Sequence, residues 1–172
     1  MHIITQTPRL IIREFLPEEL DAYLNHFNDE EVCRYIPRRT TEERISIFNG
    51  GMEEYALTKQ LGKWGIFDKA TGKLIGSCLL RYFNNEPDKT EIGYSLDRHC
   101  WGLGIGSEMA TAMVAYSFSF PDTKEMVGVT TLENIGSQRV LEKAGLKRGE
   151  NIVKDGLELA YFSLKRSYSK II

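Results

Sequence analysis

The residues best suited to chemistry lie in the run Trp101-Gly102-Leu103-Gly104-Ile105-Gly106-Ser107, where a strand hands over to a helix. A helix start leaves its first N–H groups without partners, and alternate glycines let the main chain approach an anion with no Cβ in the way. Such a turn suits a diphosphate held by backbone amides, and the helix dipole adds about 0.3–1 kcal/mol per nearby charge. Two better-known phosphate loops do not fit. Gly106 is followed by Ser107-Glu108 where a Walker loop needs Lys-Ser/Thr, and Met109 stands where GxGxxG needs its last glycine. Upstream, Glu91 shares one side of a strand with Gly93 and Ser95, so a carboxylate looks into space left by small neighbours. Downstream, Asn134 opens a helix at the N-cap position that asparagine favours.

Other reactive side chains offer less. His2, His26 and His99 share no metal-ligand spacing, and Cys33, Cys78 and Cys100 form no CxxC pair, so no metal, zinc site or disulfide framework is expected. The 172 residues carry 22 Lys plus Arg against 24 Asp plus Glu, a formal charge of −2, with no basic cluster of the kind a nucleic-acid backbone requires. No apolar run approaches the roughly 20 residues that span a bilayer, and the first 20 residues lack a signal-peptide pattern, so the expected location is the cytosol. With 42% hydrophobic residues, the length suits a single domain over residues 1–172.

The elements that must position these groups follow from periodicity and punctuation. Residues 10–15 read as a short strand, and Pro17-Glu18-Glu19 opens a helix carrying Leu20, Tyr23, Leu24 and Phe27. A second helix is expected over 41–59, weakened by Gly50-Gly51. Residues 63–68 and 74–83 form a hairpin, and residues 84–88 turn the chain into a strand over 90–96, where Ile92, Tyr94 and Leu96 pack on one side. A helix over 108–120, a strand over 125–130, a helix over 134–144 ended by Gly145, a strand starting at Leu146 and a final strand over 157–164 complete the chain. Hairpins followed by βαβ crossovers imply one mixed α/β sheet flanked by helices.

Taken together, the strand Glu91-Ile92-Gly93-Tyr94-Ser95-Leu96, the glycine turn and the run from Asn134 to Leu146 resemble the GCN5-related N-acetyltransferase (GNAT) superfamily. The opening Thr7-Pro8-Arg9-Leu10-Ile11-Ile12-Arg13 resembles its branch that acetylates ribosomal-protein N-termini, the RimJ/RimL-like enzymes. The resemblance implies a mixed, mostly antiparallel sheet splayed between its fourth and fifth strands, flanked by about four helices, with acetyl-CoA in the wedge. It implies that the main chain of Leu96 meets the pantetheine arm, that Leu103, Gly104, Ile105, Gly106 and Ser107 present amides to the diphosphate, and that Asn134 contacts the cofactor's arm. Two departures stand out. Trp101 occupies the turn position that is usually Gln or Arg, and Leu141 stands where many members carry the tyrosine that protonates the leaving thiolate. Ser137, one helical turn before Leu141, matches the serine given that task in part of the branch.

The implied reaction is direct attack of a primary amine on the thioester, without an acyl-enzyme on Cys100. Glu91 is the first candidate to accept the amine's proton and Glu150 the second. At pH 7 a lysine amine costs about 4.6 kcal/mol to deprotonate and a peptide α-amine about 1.2, so a site with weak acid–base groups favours a protein or peptide N-terminus. Charge supports a cationic acceptor, since residues 13–54 hold 11 acids and 5 bases whereas residues 134–170 hold 4 acids and 8 bases. Small-molecule amines such as polyamines, amino acids or antibiotics, and a non-catalytic acyl-CoA sensor, are the alternatives. Either a monomer or a homodimer is compatible with the sequence.

Overall fold

The structure, a computed structural model, describes residues 1–167. The chain runs β1 (Ile3–Gln6), β2 (Leu10–Arg13), α1 (Leu20–His26), α2 (Glu30–Cys33), α3 (Thr41–Thr58), β3 (Gly62–Asp68), β4 (Leu74–Phe83) and β5 (Glu86–Leu96). It continues through α4 (Ile105–Phe118), β6 (Glu125–Thr131), α5 (Ile135–Lys143), β7 (Lys147–Arg148), β8 (Ile152–Lys154) and β9 (Leu157–Lys165). Lys170, the last base of the 134–170 segment, lies outside the described residues.

Local chemistry accounts for most boundaries. Thr40 and Glu43 close a reciprocal cap on α3, with Glu43 N–H donating to Thr40 Oγ1 at 3.2 Å and Thr40 N–H to Glu43 Oε2 at 2.8 Å. The helix runs unbroken through Gly50-Gly51 because α3 lies so close to β3 that a Cβ on Gly51 would strike Lys63. Asn84 and Asn85 both adopt positive φ, 51° and 61°, which makes a two-residue turn and lets β5 start at Glu86, earlier than expected. Pro87 is tolerated there because pairing with β6 begins only at Lys89. Strands β1 and β8, of four and three residues, are too short to display a period of two, while the strand expected to start at Leu146 is the two-residue β7. Five α-helices are present among the described residues, one more than expected, the extra being the single turn α2.

The strands form one sheet in the order β1-β2-β3-β4-β5-β6-β9-β7, with β8 also on β9. Every pairing is antiparallel except β5 with β6. That parallel pairing covers Lys89↔Glu125 to Ile92↔Gly128 and then stops, although β5 continues to Leu96 and β6 to Thr131. The expected splay is therefore present, between strands that count fifth and sixth once β1 is included.

Each face of the sheet is sealed by its own apolar layer. Trp64, Ile66, Leu80 and Ile92 pack with Met109 and Met113 of α4 and Leu141 of α5, all fully or almost fully buried. On the other face Phe15, Tyr23 and Phe48 form an aromatic cluster, with ring centroids 4.9 Å apart for Phe15–Phe48 and 5.1 Å for Tyr23–Phe48. Burial of side chains this size contributes about 1.5–3 kcal/mol each, so both layers hold the sheet firmly while its centre stays split.

Gly76 is where β4 comes closest to the free end of β5, because a Cβ there would fall on the Ser95 carbonyl oxygen and 3.1 Å from Leu96 Cα. Gly76→Ala is expected to cost about 1–3 kcal/mol in urea unfolding, by forcing apart two backbones that no side-chain rotation can relieve.

Candidate active site

The wedge presents main-chain groups that the sheet does not use. Asp97 N–H donates to the Ile75 carbonyl at 2.9 Å, which fixes the phase of the β4–β5 ladder. By antiparallel alternation Tyr94 and Leu96 then turn their N–H and C=O groups away from β4, toward the place that β6 has already left. Trp101 covers one of them, its indole Nε1–H donating to the Leu96 carbonyl at 2.8 Å. Buried backbone groups demand partners, so the rest of this edge is prepared for an extended polar ligand.

The glycine turn divides its labour. Gly102 and Gly104 take positive φ, 74° and 78°, conformations that favour glycine. Gly106 is ordinary in backbone but close in packing, since a Cβ there would sit 3.0 Å from Val140 Cγ2 of α5. Gly104 caps α4, leaving the amides of Ile105, Gly106 and Ser107 at its open N-terminus. Arg9, from the β1–β2 connection, reaches across with Nη1 donating to the Leu103 carbonyl at 2.9 Å and Nε to Glu108 Oε2 at 2.6 Å. Glu108 also accepts from Thr7 Oγ1 at 2.5 Å and from Arg9 N–H at 3.0 Å. Burial alone would raise the Glu108 carboxyl, but the hydrogen bonds from Thr7 and Arg9 prevail and hold it below its ordinary range. An arginine, paired with Glu108, thus stands at the turn where Trp101 takes the position that the resemblance gives to Gln or Arg. The signal for it was in the run Thr7-Pro8-Arg9, but not the fold that brings it 99 residues along the chain to Glu108.

Across the wedge, Asn134 Oδ1 accepts from Ser137 N–H at 3.1 Å and caps α5. Ser137 Oγ lies 2.9 Å from the Tyr94 hydroxyl, so Tyr94, expected only to pack, joins β5 to α5 by a polar contact. Burial pushes the Tyr94 phenol up to about 12 and the Ser137 hydrogen bond opposes this, so the phenol stays protonated at neutral pH. Leu141 is 1% exposed, and its side chain fills the space over Gly128. The side chain at this position is therefore part of the core.

On the α1–α3 side, Glu91 is buried and engaged at both oxygens. Arg81 donates to it through Nη2 at 2.8 Å and Nε at 3.1 Å, and Lys154 Nζ lies at 3.8 Å. As a proton acceptor it would first have to release a cation. Glu150 is exposed in the link between β7 and β8. Lys63 lies 5.3 Å from the centre of the Tyr23 ring, and burial pushes its amine down to about 8. Beside it, His26 Nε2 is 2.8 Å from Ser95 Oγ and His26 Nδ1 is 2.5 Å from Asp97 Oδ1, a set that the separate readings of these residues did not reveal. The Cys100 thiol is buried, and that burial raises it above its ordinary value, the opposite of an activated nucleophile. Three of the 11 acids of residues 13–54 pair within that segment, in Arg13–Glu19, Arg34–Glu31 and Arg39–Glu43.

Residues 9–147 match the acetyltransferase (GNAT) domain family. The chain belongs to the GNAT N-acetyltransferases. This family uses acetyl-CoA, and its members act on amines. The acetyltransferase is 30% identical to p20 of Bacillus licheniformis, an uncharacterized N-acetyltransferase, across 95% of this chain and 97% of that one. Among solved structures, a GNAT-family acetyltransferase from Bacillus anthracis superposes with a TM-score of 0.80 at 23% identity, covering 96% of this chain and 98% of that one. RimL, a ribosomal L7/L12 α-N-protein acetyltransferase in complex with coenzyme A, gives 0.80 at 16% identity over 95% and 98% of the two chains.

Two outcomes follow for stability. Leu141→Tyr, the residue that the resemblance would place here, is expected to overpack the α5–β6 contact and cost about 1–3 kcal/mol by urea unfolding. His26 is held neutral because burial lowers its pKa more strongly than Asp97 raises it. A folded pKa below the unfolded one means full stability above the ordinary histidine range and loss as pH falls through it. Unfolding measured between pH 8 and 5 should show that slope in the wild-type chain and a flatter one in His26→Gln.

Proposed function

We propose that this acetyltransferase transfers acetyl from acetyl-CoA to the α-amine of a protein or peptide N-terminus by direct attack. What carries the reading is the main-chain edge of Tyr94 and Leu96 that β6 leaves uncovered, of which Trp101 takes only the Leu96 carbonyl. The fit to acetyl-CoA is good: amides of residues 103–107 and the Arg9 guanidinium suit the diphosphate, and the Leu96 and Tyr94 edge suits the amide-bearing arm. Asn134 keeps its side-chain N–H2 for that arm while its oxygen caps α5. Acetyl-CoA supplies an activated thioester carbonyl.

The protein's own groups are assigned as follows. Tyr94 O–H donates to Ser137 Oγ, which turns the Ser137 hydroxyl proton toward the departing sulfur, and the coupled pair is stronger than a lone serine. Glu91, bound by Arg81 and Lys154, has its charge neutralised by them and braces the small-residue face of β5. With no carboxylate left unpaired here, the cheaper deprotonation of an α-amine favours that substrate over lysine. The likeness in fold to a ribosomal-protein α-N-acetyltransferase supports the same choice, and the likeness to an aminoglycoside acetyltransferase, TM-score 0.72 at 16% identity, supports a small-molecule amine as the second reading.

The test is release of free thiol from acetyl-CoA with N-terminal peptides, N-terminally blocked lysine peptides, polyamines and aminoglycosides. Turnover is expected with free N-terminal peptides foremost. Turnover with lysine side chains alone overturns the α-amine reading, and calorimetric binding of coenzyme A without any turnover makes the protein a sensor. Ser137→Ala should lower kcat about tenfold with little change in the KM for acetyl-CoA, and Arg9→Ala should weaken coenzyme A binding several-fold, by roughly 1 kcal/mol.

A further inference from the structure

Glu91 holds two cations, so the proton that an amine sheds as its C–N bond forms needs another destination. The open end of β5 offers one. Ser95 lies beyond the last β5–β6 pair, on the same side as Glu91 and Gly93, and its hydroxyl is 2.8 Å from His26 Nε2. His26 in turn has Nδ1 2.5 Å from Asp97 Oδ1. With Nδ1–H donating to Asp97, the Nε2 lone pair accepts from Ser95 O–H, and Ser95 Oγ keeps a lone pair directed at a new donor. Ser77 Oγ, at 3.4 Å, is too distant to compete strongly for it. Asp97, whose side chain is partly exposed, and His26 also line, with Ala22, Asn25 and Leu74, a cavity of about 350 Å3.

We propose that Ser95, His26 and Asp97 form a proton relay that carries the amine's proton out of the wedge to the α1 side. The relay rests on the acetyl-transfer reading above. In the step, the amine nitrogen bonds to the thioester carbon and the C–S bond breaks. The amine N–H proton passes to Ser95 Oγ as the Ser95 hydroxyl proton passes to His26 Nε2. The thiolate takes a proton from Ser137 Oγ, which solvent resupplies, and His26 Nε2 gives its proton back through Ser95 Oγ to water once the products have left the wedge. Asp97 fixes the tautomer and stabilises the imidazolium, as the acid of a Ser-His-Asp set does, but Ser95 never carries the acyl group. The other charges facing the ring are Lys63 from β3 and Arg44 from α3, both of which oppose protonation, against Asp97, which favours it. Burial adds to the opposition, so the resting imidazole is neutral and ready to accept.

The experiment compares kcat/KM against pH for the wild-type chain, His26→Gln, Ser95→Ala and Asp97→Asn, using the best acceptor of the amine panel. Coenzyme A calorimetry and thermal melts run beside it as controls. The wild-type acid limb should lie below the ordinary histidine range. His26→Gln should lose that limb and about 100-fold in kcat while coenzyme A affinity holds. Ser95→Ala should lose a similar amount, and the double variant scarcely more than either single one, as residues acting as a unit require. Asp97→Asn should shift the limb to lower pH. A folded His26→Gln that binds coenzyme A and keeps the wild-type rate and limb overturns the relay alone. Should His26→Gln fail to fold, an unchanged profile in Ser95→Ala and Asp97→Asn overturns it equally. A wild-type chain that binds coenzyme A but turns over no amine overturns both the relay and the acetyl-transfer reading.

Discussion

Peptide groups removed from water need hydrogen-bond partners, and the end of β5 loses its partner strand on one flank where it outruns β6. Pairing ends at Ile92 and Gly128, yet β5 continues for four residues with β4 on one flank only. Two polar edges, one on each strand, diverge and cannot be closed by the chain itself. Everything assigned to function is arranged around that gap: the glycine turn at its mouth, α5 along one wall, the α1–α3 layer along the other.

The gap persists because its walls are braced independently. Gly106 lets α4 and α5 touch, Leu141 locks α5 onto Gly128, and Trp101 ties the turn back to the end of β5. On the opposite side, the aromatic cluster of Phe15, Tyr23 and Phe48 fixes α1 and α3, and His26 anchors α1 to β5 through Ser95. A cleft made this way is largely preformed, so little binding energy goes into assembling it.

Much of this was legible in the letters. The glycine turn, the strand that enters it and the Asn134 helix start have local signatures, because positive φ, caps and alternation are properties of neighbouring residues. Leu141 announced that a tyrosine was missing but not that the vacated position had become core. The groups that sequence reading did not find are those whose partners are distant along the chain: Arg9 with Glu108, Arg81 and Lys154 with Glu91, Tyr94 with Ser137, and His26 with Ser95. A lone histidine without metal spacing says nothing until a sheet sets a serine and an aspartate on its two nitrogens. Glu91 makes the same point in reverse, since a carboxylate that looked open on its strand is claimed by cations from two others.

The Arg9 clamp also bears on how the molecule is made. Its contacts with Leu103 and Glu108 span 94 and 99 residues, so the turn cannot be braced until more than half the chain has been synthesised and the first hairpin has docked against α4. Closing so long a loop is an entropic cost met before any local reward, which places completion of the anion cradle late in folding. A nascent chain will therefore acquire its aromatic layer well before its glycine turn is braced.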